Sequence, residues 1–426
     1  MKKTHATLRF LASSALSLLG NSVAGVALPL ILLATTGDAF AAGTLALICS
    51  VPQLIIGVAG GAILDRVNRR NVSIVSDVIS AASIALLPVV DMIWGLNFWW
   101  FVALGLLGSI GDIPGMTARD AMYPAVTEYD GVDMQRFLGF SQSIESMVTI
   151  AGPALAAMLI SFIGNVEALW FTAAMSFSAA LVTCTIPGKV DKVAHAEHLS
   201  AREGAGLVRQ SLHALRTGMH VLFRSDGVLC ASVSLSLGIV IILGSFQGLV
   251  LPVFFTETGE PALLGFTLSA MSAGMLAGSL VYSALTHKVS RRTWYVASFI
   301  GMGAGVAVVG LFPPYPIMLA GALLLGFSAG PASALLGFFM LDRVPDASRG
   351  SAFGTQNSIT MVAAPVAVFA TSTLVSGLGT ANAALVLIAG WIVLTVAALT
   401  IRPMRKLDDE PAATSQAAQP AAEIGA

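Results

Sequence analysis

Charge is scarce in this 426-residue chain: Asp, Glu, Lys and Arg make up 11% of it, where soluble domains carry about 25%. That shortage excludes an ordinary water-soluble fold, which needs a charged shell. Neither sign is in excess, the formal net charge being −1, so a nucleic-acid partner, which calls for a basic stripe, is not expected. Cysteine is rare too. Cys49, Cys184 and Cys230 all lie in apolar runs, where a free thiol behaves as a small hydrophobe, so neither a disulfide nor a metal site is expected. His195-x-Glu197-His198 reads as solvated loop residues. The chain has no Gly-rich phosphate loop, so direct use of ATP is not expected. It also lacks a nucleophile–base pair and any sizeable polar domain, which argues against an enzyme.

What is abundant is apolar sequence, 56% of residues, with a mean hydropathy of +0.84. A helix needs about 20 apolar residues to cross a bilayer. On that ruler the chain holds twelve spans, at 8–34, 42–64, 71–93, 97–119, 136–162, 166–187, 228–255, 262–286, 293–312, 316–341, 350–377 and 380–401. The Met-Lys-Lys start followed by an apolar stretch looks like a signal peptide, but the run continues through Leu33. It reads as an uncleaved first span.

The predicted fold is all-α and integral to the membrane: twelve transmembrane helices in two pseudo-symmetric six-helix bundles, 1–187 and 228–405. A polar linker, 188–227, joins them, and an Ala/Pro/Gln-rich tail, 406–426, is expected to be disordered. In the linker, Val208, Leu212, Leu215, Met219 and Leu222 recur at 4-3-4-3 spacing, the pattern of an amphipathic helix on the membrane surface.

Under this topology all 22 Lys and Arg residues fall on one side. The opposite loops carry Asp38, Asp91, Glu167, Glu257 and Glu260 and no basic residue. The positive-inside rule then puts both termini in the cytoplasm. The halves also repeat. Gly61 to Arg70, which packs Asp65, Arg66, Arg69 and Arg70 into six residues, is matched 222 positions later by Ser283 to Arg292. Gly139-x3-Ser143-Ile144 is echoed by Gly354-x3-Ser358-Ile359.

The stretch Gly61-Ala-Ile63-Leu-Asp65-Arg66-Val-Asn68-Arg69-Arg70 resembles the G-x-L-x-D-R-x-G-R-R signature between helices 2 and 3 of the major facilitator superfamily. Ile63 stands for the Leu and Asn68 for the second Gly, Asn being the residue that after Gly best tolerates a left-handed backbone. Gly139-x8-Val148-x3-Gly152-Pro153-x2-Ala156-Ala157 resembles the span-5 signature of its drug–proton antiporters, with three glycines replaced. Ala27-Leu-Pro29 and Pro114 to Pro124, including Arg119-Asp120, are similar to Tap-type tetracycline/aminoglycoside efflux pumps and, more distantly, to macrolide and enterobactin exporters. The resemblance implies proton-driven export of amphipathic compounds across a bacterial plasma membrane by alternating access. Export or import of a metabolite such as a siderophore, or lipid translocation, would use the same fold.

Polar groups inside a bilayer are costly and mark pathways or partners. Gln142, Glu145 and Thr149 form one stripe on span 5, with Glu145 about 13 Å from the cytoplasmic end. A carboxylate there could take a proton from one side and release it to the other, so Glu145 is the first proton-coupling candidate and Asp112 the second. Cavity candidates are Asn21, Gln53, Gln142, Thr149, Phe246, Gln247, Gln356, Asn357 and Thr360. Gly61, Asp65, Arg66, Arg69 and Arg70, with Asp77, Arg119 and Asp120, are expected to form a cytoplasmic gate, Asp65 sitting at the N-terminus of span 11. Trp94, Trp99, Trp100 and Trp170 read as an outer aromatic belt. The expected partners are a small amphipathic substrate, protons and lipid. No cofactor is expected besides the proton gradient, and one chain suffices as a monomer.

Overall fold

The computed structural model describes residues 5–64, 68–188, 190, 216–285, 288–344 and 349–401. Asp65, Arg66, His195, Glu197, His198, Val208, Leu212, Leu215 and the tail lie outside them. Six helices build the first half: α1 His5–Thr36, α2 Ala39–Leu64, α3 Arg69–Trp94, α4 Phe98–Asp130, α5 Met134–Ile163 and α6 Ala168–Cys184. The second half is α7 Gly227–Glu257, α8 Ala262–Leu285, α9 Arg291–Gly310, α10 Tyr315–Arg343, α11 Arg349–Leu378 and α12 Thr380–Thr400.

Among the described residues, ten helices are long and apolar enough to cross a membrane. The shorter apolar pieces are Ala39–Gln53, the first part of α2, and α6. With 17 residues, α6 is about 25 Å long, a little under a bilayer's hydrocarbon core. Helix ends differ most from the sequence reading at α4, which does not stop at 119 but continues through Arg119 and Pro124 to Asp130. In α7 the regular ladder is interrupted by a π turn at Phe246–Val250.

The internal repeat is expressed in hydrogen bonds. Asn68 caps α3 by accepting from the Asn71 amide, and Ser290, at the 222-residue offset, caps α9 by accepting from the Thr293 amide. Asn68 therefore does not adopt a left-handed backbone. Its φ of −67° and ψ of 109° are those of an extended N-cap. Ser143 donates to the Gly139 carbonyl at 2.8 Å, and Ser358 donates to that of Gly354 at 2.9 Å.

Helix alternation gives the molecule two faces. The described basic residues, among them Arg9, Arg69, Arg136, Arg224, Lys288 and Arg343, lie toward one, while Asp38, Asp91, Glu167, Glu257 and Glu260 lie at the other. Contacts between halves gather toward the acidic face, where α2 packs on α11 and α5 on α8. Phe40 meets Phe369 with ring centroids 5.6 Å apart, and Ser269 donates to the Ile150 carbonyl at 2.7 Å. Two glycines permit these crossings. A Cβ on Gly43 would strike Ser372, and one on Gly265 would strike the Pro153 carbonyl. Toward the basic face, by contrast, Gln142, Glu145 and Thr149 are exposed, and Gly139 and Gly354 have no neighbour within 4 Å of an added Cβ. The two halves thus meet at the acidic face and part toward the basic one.

Candidate functional site

Two cavities lie inside the bundle, and Asn21 of α1 is a wall of both. The first, about 480 Å³, sits within the first half among α1, α2, α3 and α4, with Gly248 of α7 at its edge. Its polar walls are Asn21, Gln53, Ser80, Ser83, Ser109 and Asp112. The second, about 530 Å³, lies between the halves, bounded by α1, α5, α7, α8 and α10, and holds Glu145, Thr149 and Gln247.

Each polar wall has a physical reason to be where it is. Serines on α3 recur as Ser73, Ser76, Ser80 and Ser83, a buried small-residue stripe on a helix that packs on α4 and α6 and admits the α4 backbone close by. Gln53 donates to Ser109 at 3.5 Å, which ties α2 to α4 across the first cavity. In the second cavity Thr149 donates back to the Glu145 carbonyl at 2.8 Å, while Gln142, expected as a cavity wall, lines neither cavity and donates to the Glu145 carboxylate at 3.4 Å. The stripe expected on span 5 is thus one face of α5.

Beneath the first cavity lies a buried ion pair. Arg119 of α4 donates to the Asp77 carboxylate of α3 and, at 2.7 Å, to the Ser17 hydroxyl, which itself donates to Asp77 at 3.1 Å. Side-chain exposure is 11% for Arg119 and 5% for Asp77, so the three groups close on themselves away from water. Asp112 stands next to them, in hydrogen-bond contact with Ser80 and within the field of Asp77 and Arg119. Arg69 and Arg70, two of the expected gate residues, donate to the carbonyls of Ala121 at 2.9 Å and Cys184 at 2.5 Å. They hold α3 to the last third of α4 and to the end of α6.

Several placements differ from expectation. Phe246 is not a cavity wall. It is 2% exposed and packs in the core of the second half, where its ring faces Gly310 of α9. The π turn that starts at Phe246 changes the helix phase there, which a 3.6-residue period does not anticipate. Gln356 and Thr360 of α11 are half-buried and Asn357 is exposed, but none of the three belongs to the walls of either cavity. Of the gate residues, Asp65 and Arg66 fall outside the described set, Gly61 lies in α2, and Asp120 is exposed on α4. The Trp belt has Trp94 stacked on Trp100 at 5.9 Å, with Trp94 and Trp99 well exposed near the acidic face. Cys49, Ser80, Ser83 and Ser109 were not anticipated as walls. The spacing of the α3 serines, in register with Asp77, was a signal for two of them.

Two half-bundles, the first with a cavity of its own and both bounding a second cavity between them, define a class of membrane transporter, and the chain belongs to the major facilitator superfamily. The profile of that family matches residues 10–246 and 233–425. Over 392 residues the chain is 27% identical to the multidrug efflux pump Tap of Mycolicibacterium fortuitum, spanning 91% of this chain and 94% of that one. It is 24% identical to macrolide efflux protein A of Streptococcus pyogenes over 405 residues, 93% of this chain and 96% of the other. Among solved structures, the nucleoside transporter NupG superposes with a TM-score of 0.74 at 14% identity, covering 93% of this chain and 98% of its own. The inward-open xylose transporter XylE from E. coli does so at 0.64 and 14% identity, covering 94% and 98%. At such identities these structures speak for the fold alone. The chain is accordingly a multi-pass membrane protein of a transporter family.

Proposed function

We propose that this protein exports amphipathic drugs from a bacterial cytoplasm in exchange for protons, by alternating access of the cavity between its halves. Relatives named for multidrug and macrolide efflux cover more than nine-tenths of the chain. In this reading the basic face is cytoplasmic, and the form described above, open toward that face, is the one that loads cargo. The observation that carries the proposal is Glu145, an exposed carboxylate on α5 that walls the cavity between the halves. It meets the solvent of whichever side the cavity opens to, as a proton carrier must. Asp65, Arg66 and their neighbours then serve as a latch that closes the basic face in the opposite state, with Asp65 at the N-terminus of α11.

The test is drug efflux from inverted vesicles or proteoliposomes under an imposed pH gradient. Glu145→Gln abolishes gradient-driven transport while the melting temperature stays that of the parent, because the side chain is exposed. Undiminished pH-driven transport by this variant removes Glu145 from the mechanism.

A further inference from the structure

We infer that Met271 and Met275 of α8 form a grip for flat aromatic compounds in the cavity between the halves. The inference rests on the export reading for the role of that cavity and adds one class of cargo and the side chains that recognise it.

The backbone beneath the two methionines is fixed by close contact with α10. Gly274 and Gly278 on α8 face Gly326 and Gly330 on α10, each pair one helical turn apart. A Cβ on Gly326 would strike the Met271 carbonyl, and one on Gly330 would strike that of Met275. In the other direction, a Cβ on Gly274 or Gly278 would strike the carbonyl of Leu323 or Phe327. Reciprocal small residues bring two helix backbones together in this way, and here they do so at the level of both methionines. The side chains themselves are not fixed. Each has three rotatable bonds and a polarisable sulfur, and the spacing of four residues puts both on one face of α8. That face is a wall of the cavity, with Met271 buried and Met275 43% exposed. A rigid rail thus carries two adaptable side chains.

Nothing else in the cavity is built to hold a ring. Among the described residues no aromatic side chain lines it, and Gly326 and Ala329 give the α10 wall almost no bulk. Contact with a flat ring system therefore falls to the thioethers, for which a sulfur near a ring edge is a favourable arrangement. The volume, about 530 Å³, lies within the roughly 300–1,000 Å³ of sites for drug-sized ligands. Methionine also serves as plain filling in this protein. Met302 of α9 is fully buried in the core and lines neither cavity, which makes it the internal control.

Equilibrium binding to the full-length protein in nanodiscs tests this with no gradient, so Glu145 is not required to cycle. The probes are Nile red, a flat aromatic four-ring compound, and progesterone, a largely saturated four-ring compound of similar size. Both are uncharged. Leucine is close to methionine in volume and is well tolerated in its place, so the double variant Met271→Leu, Met275→Leu is expected to keep the melting temperature of the parent within a few degrees. It is expected to lower the ratio of Nile red to progesterone affinity by about 3- to 150-fold, the loss of two sulfur–ring contacts. Met302→Leu is expected to leave the ratio where it is. A ratio unchanged in the double variant overturns the inference, whether or not both affinities fall. So does an equal shift in Met302→Leu, or failure of the parent to bind Nile red. Drug efflux driven by a pH gradient that persists in any of these cases leaves the export proposal standing. A parent that shows the shift but no such efflux overturns the export proposal alone.

Discussion

Replacing Gly265 by Ala adds one carbon at the tightest crossing between the halves. The new Cβ would collide with the Pro153 carbonyl and lie 2.6 Å from the Ala157 Cβ and 3.1 Å from its amide nitrogen. Two of these three atoms are backbone, and Ala157 is fully buried, so nothing can rotate aside. Overpacking of this kind costs about 1–3 kcal/mol, and the cost exists only while α5 and α8 touch. The balance between the form closed at the acidic face and the form open there should therefore move by about 5- to 150-fold toward the open form. Pulsed electron paramagnetic resonance reads this directly. Labels at Met92→Cys and Leu311→Cys sit on opposite halves near the acidic face, at positions 81% and 64% exposed, in a protein otherwise free of cysteine. The variant should populate longer distances. Gly139→Ala is the control for added helix propensity, since no atom lies within 4 Å of its Cβ. An unaltered distance distribution in folded Gly265→Ala would refute the idea that this crossing holds the acidic face shut.

Asp77→Asn leaves a buried guanidinium without its carboxylate, which should cost about 3–5 kcal/mol and show as a clear drop in melting temperature. A drop of under 1 °C would mean that Arg119 finds another partner at little cost. Asp65→Asn weakens the proposed latch and should raise the population open to the basic face. Distances across that face that stay fixed would end the latch hypothesis.

The architecture was legible because bilayer physics writes it coarsely. Apolar length marks the spans, the one-sided distribution of Lys and Arg marks the faces, and the offset between Gly61–Arg70 and Ser283–Arg292 marks the repeat. The structure places Asn68 and Ser290 as equivalent caps, an outcome that offset implies. Pairings were less legible. Arg119 could be grouped with Asp77 and Asp120, but its pairing with Asp77 depends on how α3 and α4 are turned. Phe246 was misplaced because a π turn has no composition of its own. Helix α4 ran past its expected end because the bilayer bounds apolar residues, and a helix is free to continue into water carrying Arg119, Asp120 and Glu128.

Asn21 is a shared partition, the one polar side chain among the described residues that walls both cavities. Any substitution there edits two compartments at once. Under the proposed proton-coupled export, altered drug range and altered energy use would be inherited together at this position, whereas Gln53 and Ser109 wall the first cavity alone. On that proposal, isolates selected for resistance to new compounds should accumulate changes at the outlying walls of the first cavity and spare the partition.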